Sequence, residues 1–201
     1  MIDQETPRGN TYDKYATTNP LEQRMMRGFM GALDELLEGL VPQRILEVGV
    51  GEGHVTARVQ ERFPRATIIG VDLPDDELAG DWRTAGLACV FGDATRLPAP
   101  DGAFDLVLAI EVLEHIPRPD AALAEIARVC SGTLIASVPF EPIWRLGNLA
   151  RGRYVRQLGN TPGHVNHWTT WGFRRFVATR FDLDRVANPL PWTIVRATAS
   201  T

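Results

Sequence analysis

Lysine is almost absent from this chain of 201 residues. Lys14 stands alone among 21 basic residues, the rest being arginine, and 25 acids bring the formal net charge to −4. A surface of that sign is not built for non-specific nucleic-acid binding, so no nucleic-acid partner is expected. Cysteine is nearly missing as well. Cys89 and Cys130 lie in apolar stretches and read as reduced core residues, which excludes a disulfide framework. No run of about 18 apolar residues occurs, so no segment qualifies as a membrane-spanning helix. The opening residues Met1-Ile2-Asp3-Gln4-Glu5 are acidic and polar, the opposite of a secretory signal. Cytoplasmic residence is the expectation.

What is present is core-forming material. Hydrophobic residues make up 44% of the chain and charged residues 23%, enough to fill one α/β domain and too short a chain for two ordinary ones. Residues 1–18 read as an arm carrying Tyr12 and Tyr15. Asn19, Pro20 and Glu22 then announce a helix, as cap, first position and capping-box acid. Leu21, Met25, Phe29, Leu33, Leu36 and Leu40 follow at helical spacing, and Gly39 and Pro42 end the run. From Arg44 short apolar runs alternate with helical segments. Strands are expected at 45–48, 67–71, 88–91, 105–110 and 133–138. Helices are expected at 55–63, at 75–84, and from a cap at Asp120 through Cys130. Such alternation implies parallel pairing and a doubly wound sheet. Residues 139–168 break the rhythm, being rich in Pro, Gly, Trp and Arg. A helix (170–179) and two strands (181–186 and 193–199) close a single domain spanning 1–201.

The segment Glu47-Val48-Gly49-Val50-Gly51-Glu52-Gly53 joins the first strand to the first crossover helix. Glycines there let the backbone turn sharply and approach a ligand, and the helix N-terminus offers N–H groups to a carboxylate or phosphate. Asp72 ends the second strand and can accept from both hydroxyls of a ribose. Asp93, in Gly92-Asp93-Ala94, can accept from an adenine amino group. A dinucleotide fingerprint would place glycine at position 54, where His54 stands. Glu47 would also repel a pyrophosphate, whereas it suits the ammonium of a methionine moiety. The site reads as built for an amino acid joined to a nucleoside.

On these residues, and on Leu46-Glu47-Val48-Gly49, Gly70-Val71-Asp72 and Phe104-Asp105-Leu106-Val107, the chain resembles the class I S-adenosylmethionine-dependent methyltransferases over about residues 44–140. The resemblance implies a Rossmann-like α/β fold with three α/β/α layers. Its seven-stranded sheet would have the order 3-2-1-4-5-7-6 with strand 7 antiparallel. It implies S-adenosylmethionine as cofactor and S-adenosylhomocysteine as product. Contacts would come from the glycine turn (Glu47, Gly49, Gly51, Gly53), from Asp72 and Leu73, and from Asp93 and Ala94. Glu111 would border the cofactor, and Tyr15 of the arm would cover it.

Methyl transfer from a sulfonium places the nucleophile close and in line, with a base needed only when the nucleophile arrives protonated. Glu111, Glu114 and His115, spaced i, i+3 and i+4 after the fourth strand, share one face of a helical turn. Three readings stay open. Glu111 borders the cofactor while Glu114 and His115 secure the loop; or His115 is a general base; or Glu111, Glu114, His115 and a later histidine hold a divalent metal. The last set is similar to that of small-RNA 2′-O-methyltransferases and ubiquinone-biosynthesis O-methyltransferases, and the later residue would be His164. The catalytic candidates are therefore His115, Glu114 and His164. Residues 139–168 should cover the substrate. Trp144, Leu146, Leu149 and Tyr154 would supply apolar surface there, and Arg145, Arg151, Arg153 and Arg156 charge. That mixture suits an anionic amphiphile or a peripheral membrane contact. A small molecule is the expected substrate, with oxygen favoured over nitrogen or carbon. The alternatives are an NAD(P)-dependent oxidoreductase and a protein that binds S-adenosylmethionine without catalysis.

Overall fold

The computed structural model describes residues 18–150, 158, 160–161 and 163–200. Tyr12 and Tyr15 of the arm, with Arg151, Arg153, Tyr154 and Arg156, lie outside the described residues. Helix α1 (Pro20–Leu37) starts as its sequence dictates. The Asn19 side chain accepts from the Leu21 N–H at 2.9 Å, with Pro20 in the first turn. Phe29, Leu33, Leu36 and Leu37 form its buried stripe.

Seven strands follow: β1 (Arg44–Val48), β2 (Thr67–Asp72), β3 (Cys89–Phe91), β4 (Phe104–Ile110), β5 (Cys130–Pro139), β6 (Phe181–Ala187) and β7 (Trp192–Ala199). They form one sheet in the order β3-β2-β1-β4-β5-β7-β6. Pairing is parallel from β3 through β5, and β7 runs antiparallel to both β5 and β6. Order and strand sense are those the resemblance implied.

Strand side chains alternate between two layers, as a period of two requires. Ile45, Leu106, Leu108, Ile135 and Ile194 join α1 and α2 (His54–Arg62) on one face. Leu46, Val107, Ala109, Leu134, Ala136 and Val195 join α4 (Pro119–Val129) and α6 (Thr170–Val177) on the other. Central β4 is buried on both faces, as its unbroken apolar run predicts. Helix α3 (Asp76–Ala85) is capped by Asp75 and ended by Gly86.

Two local expectations need correction. Asp120 does not cap α4: Pro119 holds the first helical position, the cap is Arg118, and Asp120 sits in the first turn. Proline's fixed φ suits that position, so the helix begins earlier and the carboxylate meets the helix dipole instead. Strand β5 begins at Cys130 rather than 133, with a register irregularity opposite Phe104/Leu106. Within residues 139–168, Glu141–Ala150 form helix α5. No helix among the described residues is long and apolar enough to cross a membrane.

Candidate active site

The C-terminal ends of β1 and β2 make a crevice out of backbone. Gly49, at φ +78°, leaves β1, and a Cβ on it would stand 2.5 Å from Val112 Cγ2. Only glycine satisfies both constraints. Gly51, at φ +52°, differs: among the described residues nothing lies within 4 Å of where its Cβ would be, so this corner of the turn borders open space. Its N–H donates to Asp72 Oδ2 at 2.7 Å and its carbonyl accepts from Trp82 Nε1 at 2.8 Å. The turn is thus held from behind while its front stays clear. Gly53 caps α2 in the left-handed region, presenting that helix N-terminus to the same crevice.

Two acids flank the turn. Glu47 is 1% exposed, and the Thr56 hydroxyl donates to its Oε2. Burial pushes its carboxyl up to about 8; the Thr56 bond opposes this and nearby Asp72 adds to it. A carboxyl so placed is an ionised partner in waiting: a cation beside it would restore its charge. Asp72 accepts from Leu73 N–H at 2.7 Å as well as from Gly51. Burial raises its pKa against those two bonds, and Asp75 and Glu52 raise it further. Leu73 itself is exposed. Asp93, beyond β3, accepts from the Thr95 N–H and hydroxyl at 2.7 and 2.8 Å, and Ala94 packs against the core beside it. Donor-side candidates therefore line the ends of β1, β2 and β3 as expected, except Tyr15, which lies outside the described residues.

Glu111 departs from the expected shared face. Its φ is +58°, so the chain leaves β4 through a left-handed residue rather than a helical turn. Its Oε1 accepts from Ser137 Oγ at 3.3 Å and its Oε2 from Trp192 Nε1 at 2.6 Å. These bonds turn its carboxylate toward β5 and β7, away from Glu114 and His115. The three-residue turn Leu113–His115 is 3₁₀.

A second cluster forms at that turn. Val165 and Asn166 N–H groups donate to the Glu114 carbonyl at 2.9 and 3.0 Å. Asn166 Nδ2 donates to the Leu113 and Ile116 carbonyls at 3.0 and 2.7 Å. This staple brings His164 to His115, ring centroids 4.9 Å apart and edge to face. Glu114 and His164, both buried, and part-buried His115 offer one carboxylate oxygen and two imidazole nitrogens, all within 4.8 Å of one another. His115 Nδ1 lies 3.0 Å from the Gly163 carbonyl and His164 Nδ1 lies 2.9 Å from Glu141 Oε1. A carbonyl or carboxylate oxygen accepts, so in each pair Nδ1 is the donor. Trp144 stacks on His164 with centroids 6.3 Å apart and meets Trp192 at 5.7 Å, which makes an aromatic wall toward Glu111. His167 is more peripheral, 3.7 Å from Glu141 and part-exposed.

The fold brings together the sequence candidates Glu114, His115 and His164 and sets beside them Glu141, Asn166 and Trp192, which sequence reasoning had not singled out. Glu141 opens α5, 23 residues before its histidine partner, and a lone acid in a first helical turn carries no mark of a distant imidazole. Asn166 sits between two histidines in Gly163-His164-Val165-Asn166-His167-Trp168, a polar cluster that hinted at a site but not at a staple.

Comparison with known proteins bears on this geometry. The sequence model of the methyltransferase domain matches residues 46–134. A malonyl-[acyl-carrier protein] O-methyltransferase of Geobacter sulfurreducens is 36% identical over 125 residues, 59% of this chain and 44% of that protein. A fatty-acid O-methyltransferase of Mycolicibacterium smegmatis is 43% identical over 90 residues, 43% of this chain and 33% of that protein. The chain thus spans less than half the length of those two relatives. The uncharacterized methyltransferase Mb0092 of Mycobacterium bovis is 31% identical over 164 residues, 79% of this chain and 75% of that protein. Among solved structures, magnesium protoporphyrin IX methyltransferase of Synechocystis, with S-adenosylhomocysteine bound, superposes with TM-score 0.67 at 17% identity. That match covers 92% of this chain and 89% of the other, and it shows a shared fold. Glycine turn, strand order and kinship along most of both chains agree: this chain belongs to the class I S-adenosylmethionine-dependent methyltransferase family.

Proposed function

We propose that the chain moves a methyl group from S-adenosylmethionine to an oxygen of a small molecule, a carboxylic acid with an apolar body being the favoured acceptor. The observation that carries this is the crevice at β1 and β2, clear in front of Gly51, with buried Glu47 on one side and Asp72 on the other. A Cβ at Gly51 would project into that space, so the residues present fit the cofactor. When bound, S-adenosylmethionine supplies an electrophilic methyl on a sulfonium. Glu47 holds an ammonium by charge, Asp72 and Leu73 take the ribose edge, and Asp93 with Ala94 takes the base. Gly49 and Gly53 shape the turn, and Glu111 borders it from β4. The family leaves nothing in favour of a nicotinamide cofactor.

The relatives named for fatty-acid and malonyl-[acyl-carrier protein] methylation support oxygen. The Trp144–Trp192 wall and the exposed Ile143 and Leu149 of α5 support an apolar body. In this reading residues 139–168 of one domain cover the acceptor, and Glu114, His115 and His164 receive its polar end. An acid arrives already ionised, so these groups orient rather than deprotonate it. The same α5 face suits a peripheral membrane contact when the acid is lipid-like. The free thiols Cys89 and Cys130 suit a reducing cytoplasm.

A specific observation favours a divalent cation at the cluster. Two imidazoles whose Nδ1 protons are each given to an acceptor, beside a carboxylate, are the arrangement in which metal-binding histidines are held. Glu114, His115 and His164 would be the ligands; Glu111, tied to Ser137 and Trp192, would not. The ion would fix an acceptor oxygen by charge.

The test is direct. Calorimetry should show S-adenosylhomocysteine binding, and labelled S-adenosylmethionine with laurate should give methyl laurate by mass spectrometry. Binding without methylation across fatty acids, malonyl thioesters and phenols would leave a cofactor-binding protein and refute the acceptor class. Unchanged methylation in chelator would refute the cation.

A further inference from the structure

We propose that Glu141 is a positioning residue that fixes the ring of His164 for the acceptor site. The role rests on reading Glu114, His115 and His164 as a cation-holding cluster. Glu141 is 4% exposed and His164 6%, so their 2.9 Å contact is sealed from water. An imidazole free of partners can flip about its Cβ–Cγ bond and exchange tautomers. A carboxylate oxygen at Nδ1 accepts, so Glu141 selects the Nδ1–H form and holds the ring beside Glu114 and His115, whose ligand atoms lie within 4.8 Å of its own.

Glu141 is itself placed by the fold. It follows β5 directly, its N–H donates to the Trp168 carbonyl at 3.2 Å, and it stands in the first turn of α5, where the helix dipole favours an anion. Its second oxygen, Oε2, is buried with no hydrogen-bond partner. A buried carboxyl oxygen left unsatisfied is costly, and a cation on the far side of His164 would strengthen the Nδ1–H bond to Glu141 through the ring. Trp144, stacked on His164, limits ring rotation from the other side.

The experiment uses the full chain saturated with S-adenosylhomocysteine and Co²⁺ as probe, read by calorimetry and by the ion's visible spectrum. Imidazole proton–nitrogen spectra are recorded without Co²⁺. Wild type should bind Co²⁺ with nitrogen-ligand bands and show a slowly exchanging His164 Nδ1–H resonance. His164→Gln should abolish the bands. Glu141→Ala should weaken Co²⁺ about 10- to 100-fold and lose the Nδ1–H resonance, with S-adenosylhomocysteine affinity unchanged. Glu141→Gln keeps an acceptor oxygen, so it should keep the resonance, shifted upfield, and lose less than Ala does. Should Glu141→Ala fail to fold, the Gln variant decides: an unmoved resonance with unchanged Co²⁺ affinity overturns the role. Loss of Co²⁺ in His164→Gln with no loss in Glu141→Ala would overturn the positioning role alone. No Co²⁺ binding by wild type would overturn the cation reading and this inference with it.

Discussion

The two ends of the candidate site are built by different means. At the donor end every group stands within a few residues of a strand terminus, and main-chain N–H groups help hold two of the acids: Gly51 and Leu73 for Asp72, Thr95 for Asp93. At the acceptor end three separate segments meet through side chains as well as main chain. The turn Leu113–His115, the start of α5 and the histidine loop are joined by Asn166 and by the His164–Glu141 pair. The first arrangement is rigid because the sheet is rigid. The second can change its chemistry without disturbing the sheet, which suits a family whose members take one donor and many acceptors.

The comparison predicts that the ends fail separately. Asp72→Ala removes the acceptor of two N–H groups and the carboxylate proposed for the ribose. S-adenosylhomocysteine affinity should fall by about 3 kcal/mol, on the order of 100-fold, while Glu114→Ala leaves it within about threefold. Equal losses in calorimetry would break the division. Asn166→Ala should act on the acceptor end alone. Two carbonyls, of Leu113 and Ile116, lose their donor, at a cost of about 2 kcal/mol. Hydrogen exchange across residues 163–168 should quicken, with cofactor affinity unchanged; uniform destabilisation of the sheet would count against the staple.

The same difference explains what could be read from sequence. Local signals carried the sheet and the donor end. Alternation of strand and helix gave the layers, and Gly49-Val50-Gly51 with Glu47 and Asp72 gave the crevice, because each contact spans one turn or one neighbouring strand. The acceptor end depends on pairs far apart in the chain. Helical spacing placed Glu111 with Glu114 and His115, but a left-handed residue at the end of β4 sends Glu111 to Trp192, 81 positions away. Periodicity cannot see such a reversal in a non-glycine residue. Glu141 was unreadable for a related reason: its role is set by a histidine that only the folded loop delivers. Asp120 failed more simply, because Pro119 outcompeted it for the helix start.

Gly51→Ala sharpens the donor side. At φ +52° an alanine pays a left-handed penalty of about 1–2 kcal/mol, yet nothing among the described residues obstructs its methyl. Thermal unfolding should therefore show a modest loss, and cofactor affinity a further drop of about tenfold if the crevice is where the ligand lies. A normal affinity in a destabilised protein would move the ligand elsewhere.

The smallest effect is the most diagnostic of charge. Glu47 is held neutral by burial, with its carboxyl near 8 rather than 4.5. A folded-state pKa above the unfolded one means the native state binds the extra proton. Stability from this group is therefore complete below about pH 4.5 and declines as pH rises through about 8. An ammonium beside Glu47 reverses the preference, so ligand binding near pH 7 should release close to one proton, seen as a dependence of binding heat on buffer ionisation enthalpy. Affinity for S-adenosylhomocysteine should rise by somewhat under tenfold from about pH 6 to about pH 7 and level off above about pH 8. Glu47→Gln should bind more weakly and lose both the proton release and the slope. A wild-type protein that binds with no proton released would mean that the buried acid does not meet the amino-acid end of the ligand, and the donor end would have to be built around Asp72 alone.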